Sequence, residues 1–181
     1  MTGIYVICIF IVAMIGSIII FQQNNSHASK TIEEAMQMKN ITFDEVFYIT
    51  KEKGFNIVFF GKDDLLSVGL VRETGSSYEW IYGTGSKQFN ESPCILTRSF
   101  ANLLTGRVRN DSELVSLTFG VLNDNDIETL QIEYKDQKAR AAAIVPTSKG
   151  RIWFCFSDPP IHADPAVRRI YQNGDVQSGW D

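Results

Sequence analysis

Hydrophobic and polar positions divide this chain into two regimes. Residues 4–21 form one apolar run, eighteen residues without a charge, relieved only by Tyr5, Gly16 and Ser17. As a helix rising about 1.5 Å per residue, it reaches roughly 27 Å, close to the hydrocarbon thickness of a bilayer. From residue 41 onward the texture is different. Short aromatic and β-branched runs alternate with polar clusters bearing Gly, Asp, Asn or Lys, spaced about 10–12 residues apart.

The second regime predicts strands over residues 42–50, 55–60, 65–72, 77–82, 114–122, 127–134, 139–145, 151–157 and 167–171. Residues 94–100 read as a further strand, and residues 102–111 as an irregular connection. Leu130, Ile132 and Tyr134 alternate with Gln131 and Glu133, so one face of that strand is expected buried and the other wet. Asn173-Gly174 signals a type I′ hairpin returning residues 176–180 onto 167–171. Between the regimes, Thr31 with Glu34 three positions on forms a capping box, predicting a short amphipathic helix over 31–39. The expected fold is mainly β with a minor α component: an antiparallel β meander forming a sandwich or a partly open barrel.

Three organisational parts follow: 1–21 as a transmembrane anchor or uncleaved signal, 22–40 as linker and short helix, and 41–181 as a β-rich extracytoplasmic domain. A helix apolar on every side wants lipid or protein all round it, and the rest of the chain is small for wrapping one. Ser26-His27-Ala28 offers the small residues of a signal-peptidase site, with cleavage before Ser29 and a secreted product. Against cleavage, the apolar run exceeds the usual length and no Lys or Arg precedes it. The preferred reading is a single-pass signal-anchor, with the membrane as partner through residues 4–21. Lys30 and Lys39 favour a cytoplasmic body by the positive-inside rule. A terminal hydrophobic segment is nevertheless the usual export signal, and the body is placed outside.

Charge narrows the partners. The net charge of −4 falls wholly on the part after residue 29, and no block of like charge occurs. An acidic chain without a basic face is not expected to bind nucleic acid. Of the three cysteines, Cys8 lies in the apolar run. Cys94 and Cys155 are candidates for a disulfide if the body is exported; the other reading makes Cys155 a small buried core residue.

Some blocks in order have a familiar look: Asn56-Ile57-Val58-Phe59-Phe60, Val68-Gly69-Leu70-Val71, Trp80-Ile81-Tyr82-Gly83, Phe119-Gly120-Val121-Leu122, Arg151-Ile152-Trp153-Phe154 and Arg169-Ile170-Tyr171-Gln172-Asn173-Gly174-Asp175. They resemble small, uncharacterised, membrane-anchored or secreted β-rich proteins of Gram-positive spore-forming bacteria. The likeness covers most of the chain after Phe43. It implies location and a β-rich fold, and carries no assigned activity.

Candidate chemistry is sparse. His162, flanked by Asp158 and Asp164 in a proline-bearing segment, has the residue types of a metal site or a general base. The alternative is a stiff loop with solvated polar side chains, and no third converging group is visible in the sequence. Asp124, Asp126 and Glu128 have a calcium-like spacing but lack the glycine and terminal glutamate of an EF-hand loop, so a hairpin turn is the simpler reading. Gly83-Thr84-Gly85-Ser86-Lys87 lacks P-loop spacing and reads as a flexible loop. Trp80 and Trp153 read either as core or as a wet-face aromatic patch; if Ile152, Phe154 and Phe156 face inward, Trp153 faces out as a surface aromatic. No catalytic residue, cofactor or metal is assigned. The chain is expected to be a non-catalytic binding module with an unknown protein or envelope partner. The alternatives are a regulator or inhibitor of a cell-envelope enzyme acting through an exposed edge strand, and a hydrolase built on His162.

Overall fold

The computed structural model describes residues 29–89, 94–106, 114–158 and 160–180. The apolar run 4–21, the linker to residue 28 and Cys8 lie outside the described residues, as does the Ser26-His27-Ala28 cleavage signal. Among the described residues, no helix is long and apolar enough to cross a membrane.

The body is mainly β. Among the described residues, one helix, α1 (Ile32–Met38), precedes twelve strands: β1 (Glu45–Glu52), β2 (Phe55–Lys62), β3 (Leu65–Thr74), β4 (Ser77–Gln88), β5 (Ser99–Leu104), β6 (Leu114–Leu122), β7 (Ile127–Glu133), β8 (Arg140–Ala141), β9 (Ala143–Thr147), β10 (Gly150–Ser157), β11 (Ala166–Tyr171) and β12 (Val176–Ser178). They form three antiparallel four-stranded sheets, ordered β1-β2-β3-β4, β5-β6-β10-β9 and β12-β11-β7-β8.

The first sheet is the expected meander. Its turns follow from backbone chemistry: Lys53 and Gly54 both take positive φ in the two-residue β1–β2 loop, as a type I′ turn requires. The remaining strands do not continue the meander. The chain leaves the second sheet after β6, crosses to the third for β7 and β8, returns for β9 and β10, then crosses again for β11 and β12.

Alternate residues explain the layering. In β2, Ile57 and Phe59 join the core between the first and second sheets, while Val58 and Phe60 join a cluster under α1. In β10, Ile152 and Phe154 face the first sheet, whereas Trp153 and Cys155 face the third. The order of layers is therefore helix, first sheet, second sheet, third sheet. A strand dry on both faces has no reason to alternate, which is why β2, β6 and β10 read as continuous apolar runs. Trp153 is thus not a surface aromatic: it is 0 % exposed. Its indole N–H donates to the Thr97 carbonyl at 3.0 Å, which satisfies the polar edge that burial would otherwise orphan. Tyr134 also sits in the second core, as the alternation of β7 predicts.

The helix starts at the predicted cap. Thr31 Oγ1 accepts from the Glu34 N–H at 3.1 Å, and the Glu34 carboxylate accepts from the Lys30 N–H at 2.6 Å. Ile32, Ala35 and Met36 are buried, so the helix is packed against the first sheet and does not extend a stalk.

Three expectations change. Residues 83–87 belong to β4 and not to a loop. Gly69 and Gly83 pair across β3 and β4, and the Trp80 ring lies over both where side chains would stand. Its apolar surface covers what two glycines leave bare, which keeps a glycine-rich segment in a strand. The Asn123-to-Asp126 segment does turn, with Asp124 Oδ1 accepting from the Asp126 N–H at 2.9 Å, but it links two sheets and makes no hairpin. The β11–β12 hairpin forms, yet its turn starts one position earlier: the Gly174 N–H donates to the Tyr171 carbonyl, and of the loop residues only Gly174 takes positive φ. That is a three-residue loop with glycine at the bulge position, not type I′.

Candidate functional site

The segment joining β10 to β11, residues 158–165, crosses from the second sheet to the third and carries the histidine and both aspartates singled out above. Pro160, Ile161 and Pro165 are buried beneath it. Asn102 on β5 grips its middle: its side-chain amide donates to the Ile161 carbonyl at 3.0 Å and accepts from the Ile161 N–H at 3.1 Å. This strap closes the open side of the core between the second and third sheets.

The strap does not gather its polar residues into one site. Asp158 pairs with Lys53 at 3.3 Å, and the same ammonium donates to the Leu114 carbonyl. Asp164 pairs with Arg98 at 3.0 Å. His162 is exposed, on the wall of a small cleft with Tyr134, Asp136, Gln137 and Ser157. The two carboxylates are thus committed to cations on different elements. No group of three or more His, Cys, Asp or Glu among the described residues is placed to hold a metal ion, the Asp124-Asp126-Glu128 run included. That loop is held from below instead, by Arg151 donating to the carbonyls of Asp124 and Ile127.

Cys94 is exposed and Cys155 is buried in the second core, and no disulfide joins them. Burial raises the Cys155 thiol above its ordinary value, partly offset by the neighbouring Tyr134 hydroxyl. Tyr134 is raised too, chiefly by burial. Its hydroxyl sits 3.0 Å from Thr118 Oγ1 and 2.8 Å from the Cys155 carbonyl, tying β7 to both central strands of the second sheet.

On the other side of the strap lies a second cleft of about 390 Å³, lined by Lys87, Arg98, Phe100, Thr118, Asp164 and Pro165. Its geometry is set in depth. Trp180 stacks on buried Trp153 at 5.8 Å and donates its indole N–H to the Pro165 carbonyl. The Arg98 guanidinium lies 4.8 Å over the Trp180 ring while reaching Asp164. Phe100 stands beside it on β5 with 52 % of its surface exposed. Sequence reasoning weighed Lys87 only as the end of a glycine-rich segment without P-loop spacing, and singled out neither Arg98 nor Phe100. These residues meet only through the pairing of three separate segments, and none carries a local signal. The strap aspartate Asp164 is the one predicted residue that lines this cleft.

No known protein family matches the chain, and neither the curated proteins nor the solved structures include one similar to it.

Proposed function

We propose that this chain is a non-catalytic binding module held at the outer face of a cell membrane by residues 4–21, with its partner among proteins of the envelope. The uncharged run, long enough as a helix to cross a bilayer, supports the location. The linker adds support: only residues 22–28 separate the run from Ser29, whose carbonyl accepts from Tyr78 on β4. Seven residues span at most about 25 Å when extended, so the anchor would hold the body close to the bilayer. The observation that carries binding is the cleft beside β5. A half-exposed phenyl ring on β5 stands next to Lys87 on β4 and Arg98 just before β5, the arrangement of an anchor pocket and not of a proton-transfer pair. The three-layer stack behind it, a partly open sandwich, acts as scaffold.

Two measurements test this. Protease added to intact cells digests the body if it is outside; survival until the cells are opened overturns the location. A photo-crosslinker in place of Phe100 traps an envelope protein if the cleft is the contact; trapping from a control position on the far face alone overturns the site. A second reading has one observation in its favour. Cleavage before Ser29 would release a product whose first residue is bridged to Tyr78 on β4. The mass of the mature protein distinguishes the two.

A further inference from the structure

We infer that the cleft between β4, β5 and the strap takes an acidic peptide segment bearing a large apolar side chain. This deepens the proposed function and rests on it.

Lys87 pairs with Leu66 of the first core across β3 and β4, and its side chain lines the cleft. It is half-buried, and no acidic side chain among the described residues is within ion-pair distance of its ammonium. The Arg98 guanidinium lies over the Trp180 ring, with Nη2 3.0 Å from the Asp164 carboxylate. Two cations therefore face one aspartate in a site walled by Phe100, Pro165 and strand backbone. The field there is positive on a chain whose net charge is −4, and partial desolvation strengthens it. A carboxylate meeting Lys87 completes the balance, while an apolar side chain covers the exposed Phe100 ring. Nucleic acid and anionic lipid present rows of charge that need a broad basic face. The cleft offers two adjacent cations and one aromatic ring, the scale of a few peptide residues.

The test uses the full-length, ¹⁵N-labelled chain in detergent micelles, titrated with three capped tripeptides: Glu-Phe-Glu, Gln-Phe-Gln and Glu-Ala-Glu. The expected result is movement of the amide signals of Lys87, Arg98, Phe100 and Asp164 with Glu-Phe-Glu, at an affinity about tenfold above either control. Lys87→Gln removes that preference for Glu over Gln while the remaining spectrum stays in place. Should Lys87→Gln disturb the spectrum at large, Phe100→Ser provides the second variant and removes the preference for Phe over Ala. Equal affinity of the Glu and Gln peptides at the cleft overturns the acidic ligand and leaves the binding module standing. Signal changes confined to other surfaces overturn the cleft itself, while the crosslinking result from Phe100 decides the broader reading independently.

Discussion

Gly120 faces Trp153 across the β6–β10 ladder, and the space a side chain at Gly120 would need is filled by the Thr97 carbonyl that accepts the indole N–H. One missing methyl group thus lets three segments meet. A Cβ here would collide with backbone, which cannot rotate away. Gly120→Ala is expected to destabilise the fold by about 3 kcal/mol, the upper range for an overpacked core, measured by chemical denaturation followed through tryptophan fluorescence. A loss below the resolution of that measurement would show that the Thr97 segment can retreat freely.

Trp80 and the Gly69–Gly83 pair should behave as one unit. Gly83→Ala forces the ring aside and is expected to cost about 1–2 kcal/mol. In a Trp80→Ala background the same change meets open space and should be neutral or mildly stabilising, since alanine suits a strand better than glycine. The double-mutant cycle reports the coupling directly.

Tyr134 predicts an alkaline limit to stability. Burial raises its folded-state value above the ordinary 10.0, so the unfolded chain gives up the proton first. Its contribution is complete below about pH 10 and is lost as pH rises further. Cys155, raised above 9.0 by the same cause, starts the decline somewhat earlier. Tyr134→Phe removes the tyrosine's share of this pH dependence. At neutral pH it costs about 1–2 kcal/mol, because the Cys155 carbonyl and Thr118 hydroxyl lose a partner.

Thiol chemistry separates the two cysteines of the body. Cys94 is exposed and should react with a thiol reagent in the native protein, whereas Cys155 reacts only after denaturation. Peptide mapping after labelling reads this out. A native Cys94–Cys155 crosslink, or equal labelling of both, would contradict the arrangement of the second core.

Arg169 is 2 % exposed on β11, and among the described residues its Nε and Nη1 have no hydrogen-bond partner. It lies opposite Leu130, a residue of the second core. A buried guanidinium without a counter-charge opposes folding, and an apolar replacement of similar length removes the penalty. Arg169→Met is expected to raise stability by about 1–2 kcal/mol. A loss of similar size would show that the guanidinium has a compensating role.

The strands and the residues that mislead have physical reasons in common. Runs such as residues 114–122 and 151–156 declare strands because nothing polar interrupts them, and the β1–β4 order follows from tight turns between consecutive segments. Trp153 was expected at the surface because alternation assumes one wet face, and β10 has none. Residues 83–87 look like a loop because the cover over Gly83 comes from Trp80 in another register of the sheet. Asn173-Gly174 marks the hairpin correctly, while the neighbouring backbone decides which turn position the glycine takes. The cleft was illegible for the same reason: Lys87, Arg98, Phe100 and Trp180 are brought together only by three-dimensional pairing.

The second sheet draws its strands from two distant stretches, β5 with β6 and then β9 with β10, with an excursion into the third sheet between them. During translation, β1 to β4 can assemble as they emerge, but their greasy inner face has no cover until β5 and β6 follow. The central layer is incomplete until residue 157 arrives, and its far side, already met by β7, is fully covered only when β11 and Trp180 are delivered. A ribosome stalled, or a gene truncated, anywhere in the last quarter therefore leaves a sticky half-built stack. Such a product belongs to chaperones and degradative quality control.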